Sequence, residues 1–168
     1  MAIYQTLIQT QTVGAGGVAE IIFSSIPQTF TDLKVVMNVR LSNSAVANTM
    51  YMGFNGAYTL TTSRYLASDG TTLSSSAAST PFIGDVSANS ATANTFGSIE
   101  VYIPNYTSAN FKQYISDSVS ENNATTAYVE LWAGLWRSTS AVTSLNFAGS
   151  GVTMLQNTII SLYGIQKS

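Results

Sequence analysis

What most limits the folds open to this chain is a period of two in its apolar residues. In Leu33-Lys34-Val35-Val36-Met37-Asn38-Val39-Arg40-Leu41 every odd position is apolar, and the even positions include Lys34, Asn38 and Arg40. Successive side chains of a strand point to opposite faces, so this segment reads as a half-buried strand with its odd residues inward. Met50, Met52 and Phe54 alternate with Tyr51, Gly53 and Asn55, and Asn55-Gly56 then supplies hairpin-turn chemistry. Ile99, Val101 and Ile103 alternate with Glu100 and Tyr102 until Pro104 stops the strand and Asn105-Tyr106 begins a turn. Further strands are expected over 3–12, 18–25, 111–120, 127–137, 144–147 and 158–165, where Thr, Val and aromatic residues gather. No long window carries a capped 3.6-residue period. Short strands parted by Gly, Ser and Asn predict an all-β fold. The expected form is a single-domain antiparallel β-sandwich over residues 1–168, jelly-roll-like, with about eight main strands.

Composition narrows function by removing chemistries. The 168 residues include 6 Lys+Arg and 8 Asp+Glu, with no His and no Cys. A Ser-His-Asp or Cys-His catalytic set cannot be built. Zinc sites lack their usual ligands, and disulfides and cysteine-held clusters are excluded. The expectation is a protein that is not an enzyme, with no catalytic residues, no metal site and no cofactor. A net charge of -2 offers no basic field to displace counterions, so no nucleic-acid partner is expected. Apolar runs fall far short of the ~20 residues that cross a bilayer, and Met1–Gln11 carries no basic start followed by an apolar stretch. No membrane partner and no secretory signal are therefore read.

Polarity comes instead from 23 Ser, 21 Thr and 12 Asn. Such a surface gives copies little mutual repulsion, which favours association. Ser68–Thr80, with Asp69-Gly70, Ser74-Ser75-Ser76 and Ala77-Ala78, and Ser87–Thr95, made of Ser, Ala, Asn and Thr only, read as loops without a core contribution of their own, ordered when packed against a neighbour.

Several apparent motifs reduce to structure. Gly14-Ala15-Gly16-Gly17-Val18-Ala19 matches a loose dinucleotide pattern, but the following Glu20-Ile21-Ile22-Phe23 continues as strand where that pattern needs a helix. It reads as a tight connection. Asp117 and Glu121, four apart, would lie ~13 Å apart on one strand face, too far for a glycosidase pair. Asp69-Gly70 and Asp85 read as turn residues. Asn105-Tyr106-Thr107 and Asn123-Ala124-Thr125 are formal glycosylation sequons without a secretory context.

The most informative stretch is 127–136. Its odd face (Ala127, Val129, Leu131, Ala133, Leu135) is aliphatic and reads as the core face. Its even face (Tyr128, Glu130, Trp132, Gly134, Trp136) then lies on the other side as an aromatic row. Three things fit such a row: a long loop of the same subunit, a neighbouring subunit or capsid protein, or a stacked sugar. Tyr128, Trp132 and Trp136 are thus the candidate interface or glycan-stacking residues.

A resemblance adds to this reading. The phrases Phe23-Ser24-Ser25-Ile26-Pro27-Gln28-Thr29-Phe30-Thr31-Asp32-Leu33, Phe54-Asn55-Gly56 and Thr92-Ala93-Asn94-Thr95-Phe96-Gly97 come first. Ile103-Pro104-Asn105-Tyr106, Gly134-Leu135-Trp136 and Leu162-Tyr163-Gly164-Ile165 follow in order. Together they resemble small structural proteins of tailed bacteriophages, especially those of aquatic hosts. The resemblance implies a virion component with a jelly-roll-like sandwich and no enzymatic activity. Two roles follow as expectations. The first is a capsid decoration (cement) protein, a homo-oligomer expected to be a trimer, which bridges neighbouring copies of the major capsid protein. Met1–Thr12 and the Ser/Ala-rich loops are its expected grips. The second is a tail-fibre or spike module that binds host-surface glycans. Capsid surface is favoured over tail.

Overall fold

A computed structural model describes residues 3–123 and 126–167. Met1 and Ala2 of the expected N-terminal grip, and Ala124 and Thr125 of the second sequon, lie outside the described residues. Twelve strands follow one another, with no helix among the described residues. They are β1 (Ile3–Thr12), β2 (Glu20–Phe23), β3 (Asp32–Val39), β4 (Ala47–Phe54), β5 (Thr61–Ser68) and β6 (Leu73–Ala78). Then come β7 (Phe82–Ser87), β8 (Gly97–Ile103), β9 (Lys112–Ser120), β10 (Tyr128–Trp136), β11 (Leu145–Gly149) and β12 (Ile159–Lys167).

The strands form a large sheet in the order β1-β12-β3-β8-β9-β10-β5-β6 and a small sheet in the order β2-β11-β4-β7. Every paired neighbour is antiparallel. Eight strands wind as a jelly roll. Counting only β1, β2, β3, β4, β7, β8, β11 and β12, the first, eighth, third and sixth lie side by side in the large sheet, and the second, seventh, fourth and fifth in the small one. The hairpin β5–β6 and the pair β9–β10 are insertions into this roll. They extend the large sheet beyond β8, so the functional question becomes what this extension carries.

The roll's core follows the two-residue period. Leu33, Val35, Met37 and Val39 of β3 meet Met50, Met52 and Phe54 of β4 and Ile99, Val101 and Ile103 of β8, all buried. Burying such side chains contributes roughly 1.5–3 kcal/mol each. Asn55 and Gly56 take left-handed φ values of 51° and 80°, and Phe54 and Ala57 exchange both backbone hydrogen bonds across them. The expected turn is there, yet the chain leaves it for the large sheet instead of pairing back. The Gly14–Ala19 stretch is a tight connection into β2, with Gly16 and Gly17 at φ 97° and 71°.

Three strands escape the sequence pattern. β5, β6 and β7 mix polar and apolar residues on both faces, so no period shows. The Ser68–Thr80 stretch, expected as a loop, contains edge strand β6 paired with β5. Asp85, read as a turn residue, sits in β7, whereas Asp69 does hold a turn through Thr71 and Thr72. The Ser87–Thr95 stretch is fastened from within the chain. Arg40, expected to face solvent, is buried beneath it and donates to the carbonyls of Ala91, Thr92 and Thr95 at 3.0, 2.9 and 2.7 Å. Lys112 acts similarly: its buried Nζ donates to the carbonyls of Ser108, Asn110 and Ser140. Each cation fastens a loop by charge-assisted hydrogen bonds.

β7 crosses the extension very closely. Tyr114 Oη donates to Phe82 O at 3.0 Å, and Ser116 Oγ to Ile83 O at 2.8 Å. A Cβ on Gly84 would fall 2.3 Å from Ser118 Cβ, and Gly84 itself has φ 138°. Only small residues fit between these strands. Gly84→Ala combines backbone strain with overpacking and should cost about 2–4 kcal/mol. Gly56→Ala, where φ is also positive but space is open, should cost about 1 kcal/mol. Urea midpoints of the two variants against the parent check this order; equal midpoints would contradict it.

Candidate functional site

β10 faces the opposite way from the expectation. Trp132 and Trp136 are 4% and 5% exposed, while Val129 and Leu131 are 62% and 47% exposed. The reason lies in the neighbouring strand. The register sets Trp136 opposite Lys112, Trp132 opposite Ser116 and Glu130 opposite Ser118. Lys112, Tyr114, Ser116, Ser118 and Ser120 of β9 all point inward and are buried. Tyr114 lies across Gly134, where a Cβ would meet its ring at 1.9 Å. The face that packs on β4 and β7 is therefore aromatic and small, and the aliphatic face is left outside.

The aromatic row is consequently covered by the small sheet, not by a loop, and not left for a sugar. Trp136 stacks on Phe54 with ring centroids 4.9 Å apart and planes at 10°, and Lys112 Nζ lies 5.6 Å from its ring centroid. Trp132 meets Tyr65 at 4.6 Å and Phe82 at 5.5 Å. Neither tryptophan offers a ring face to a glycan, which corrects the stacking assignment for Trp132 and Trp136. Tyr128 is half-buried. The three candidates are not one site: Trp136 belongs to the core, whereas Tyr128 and Trp132 line a recess.

That recess, of about 370 Å³, lies where β5 and β6 overhang the edge of β7, and Thr49, Tyr65, Phe82, Asp85, Tyr128, Glu130 and Trp132 are among its walls. Its chemistry centres on two carboxylates. Glu130 Oε2 accepts three hydrogen bonds, from Asp85 N at 2.8 Å, Trp132 Nε1 at 2.8 Å and Ser118 Oγ at 3.0 Å. Asp85 Oδ1 accepts Thr49 Oγ1 at 2.6 Å. Among the described residues the one ion pair is Lys34–Glu100, so neither recess carboxylate faces a cation. Burial first, and then the Glu130 charge, push the Asp85 carboxyl up to about 6. Sequence reasoning missed this pair because 45 residues separate its members, which lie on strands of different sheets. The pair it weighed, Asp117 and Glu121, does not converge: Asp117 is on the outer face, and Glu121 accepts Asn123 N at the turn after β9.

The outer face of the extension is a second feature. Cross-strand register places Val119, Val129, Ser68 and Leu73 in one row, and Asp117, Leu131 and Leu66 in the next. Val119, Val129, Leu131, Leu66 and Leu73 are all exposed. They form a contiguous aliphatic surface where a solvated sheet would carry polar residues. It runs to edge strand β6, which bears no charged residue.

Compared with protein-family models, with curated proteins and with solved structures, the chain has no match.

The Asp85 shift has a thermodynamic consequence. The native state holds this proton more tightly than the unfolded chain, whose value is near 3.8. Stability from Asp85 is therefore fully present at acid pH and is lost as pH rises from about 4 to about 6. Across that window the loss should be roughly 3 kcal/mol. Asp85→Asn keeps an acceptor for Thr49 and should remove this slope. Denaturant melts at stepped pH check it, and superimposable slopes for parent and variant would contradict it.

Proposed function

We propose that this chain is a non-enzymatic structural protein of a tailed-bacteriophage virion, a decoration protein on the capsid surface. It bridges neighbouring major capsid subunits by contact area. The observation that carries this reading is the outward aliphatic face of β9, β10 and β5. An exposed patch of this kind is a site of association in soluble proteins. The jelly roll behind it supplies a stiff plate, and the inserted strands supply the contact.

The edges support the same reading. β1 and β6, the two ends of the large sheet, carry no Lys, Arg, Asp or Glu between Ile3 and Thr12 or between Leu73 and Ala78. Isolated sandwiches guard their edges with charge. Edges without it suit pairing between copies, and head-to-tail contacts that close give a ring such as a trimer. The phage-like phrases meet one another in the fold. Tyr106 of one phrase donates to the Pro27 carbonyl of another, and Asp32 accepts Asn105 N at 2.8 Å.

Particles stripped of the protein should release DNA at a lower temperature and regain robustness when it is added back. Leu131→Glu, at an exposed position, should leave the melting of the isolated chain unchanged and weaken rebinding to stripped particles by about tenfold or more. Antibody against the chain should label heads. Label confined to tails, or stripped particles as robust as intact ones, would overturn the assignment.

A further inference from the structure

The recess beside β7 is a built site that the contact role does not use. Glu130 is 6% exposed, and all three of its donors converge on Oε2. No hydrogen bond of the described residues reaches its Oε1, nor Asp85 Oδ2. One buried and one half-buried carboxylate thus line one cavity, and no cation of the described residues pairs with either. Around them stand the half-buried rings of Tyr65, Phe82 and Tyr128. Aromatic faces attract cations through their quadrupole, most strongly where water is excluded.

The composition of the walls selects the ligand. A metal ion is disfavoured, since no group of three or more His, Cys, Asp or Glu converges among the described residues. A neutral sugar would leave the carboxylate charges uncompensated, and burying an unpaired charge is costly. An organic cation satisfies both halves of the recess, its alkyl stem on the rings and its N–H donors on the two carboxylates.

We propose that this recess binds an alkylammonium or alkylguanidinium group, of the kind that ends a lysine or arginine side chain. The site does not depend on where the protein resides. The groups facing Asp85 are the Glu130 carboxylate and Tyr128 phenol from β10 and the Thr49 hydroxyl from β4. Its elevated titration ties binding to pH: affinity falls as pH drops through about 6 and Asp85 takes up a proton.

The test uses the isolated chain and the indole N–H resonance of Trp132, whose Nε1 bonds Glu130 Oε2 directly; the other indole belongs to Trp136. n-Butylammonium and n-butylguanidinium should shift this resonance saturably at pH 8, and n-butanol should not. Asp85→Asn should weaken binding by about tenfold or more, and so should a change to pH 5 in the parent chain. Acetyl-lysine amide binding as well as butylammonium points to a side chain of a partner protein. Its exclusion while butylammonium binds points to a free small amine. No saturable shift with either cation, an equal shift with butanol, or affinity unchanged in both Asp85→Asn and acid would overturn the proposal.

Discussion

The close crossing of β7 over β9 and β10 decides how the added strands are arranged. Here two backbones approach so nearly that only Gly84 and the serines of β9 fit between them. Burying serine hydroxyls without partners would be costly, so the crossing is hydrogen-bonded: β7 carbonyls take Tyr114 and Ser116, and the amide of Asp85 and the hydroxyl of Ser118 meet on Glu130. Once β9 turns its serines inward, cross-strand register forces Trp132, Glu130 and Trp136 inward too. Every branched aliphatic of β9 and β10 is then outside. The recess and the aliphatic face are two sides of one packing choice.

This explains why legibility stops where it does. β3 and β8 have one side against hydrocarbon, so they announce their inward residues by simple alternation. On β10 alternation is equally clear, and it fixes which residues share a face. It does not fix which face is buried, because that depends on small residues at 84, 116 and 118, on other strands. Aliphatic-inward is the ordinary outcome, and it fails here because Trp, Tyr and Glu find partners across the sheets that satisfy their polar atoms. β5 and β6 are illegible for a plainer reason: Ser, Thr and Ala predominate on both faces and leave little contrast. The recess could not be read at all, since Asp85 and Glu130 meet only in the fold.

The scarcity of charge also acquires a different meaning. Of fourteen ionisable acids and bases, Asp32, Arg40, Lys112 and Glu130 are buried. Arg40 and Lys112 hold loops by their carbonyls, and Glu130 gathers the crossing of β7. The outer surface is thus poorer in charge than the composition states, and the sheet edges at β1 and β6 have none. A surface so arranged resists association weakly, which accords with a role built on contact.

The central claim is that β10 turns its aromatic face in and leaves its aliphatic face outside, where the proposed capsid contact would cover it. The chain has no cysteine, so single cysteines report cleanly on accessibility. In the free chain, Val129→Cys and Leu131→Cys should react with a maleimide at the rate of an exposed thiol, and Ser118→Cys should react far more slowly. On assembled particles the first two should become protected. Rapid labelling at 118 with protection at 129 and 131 in the free chain would contradict the account.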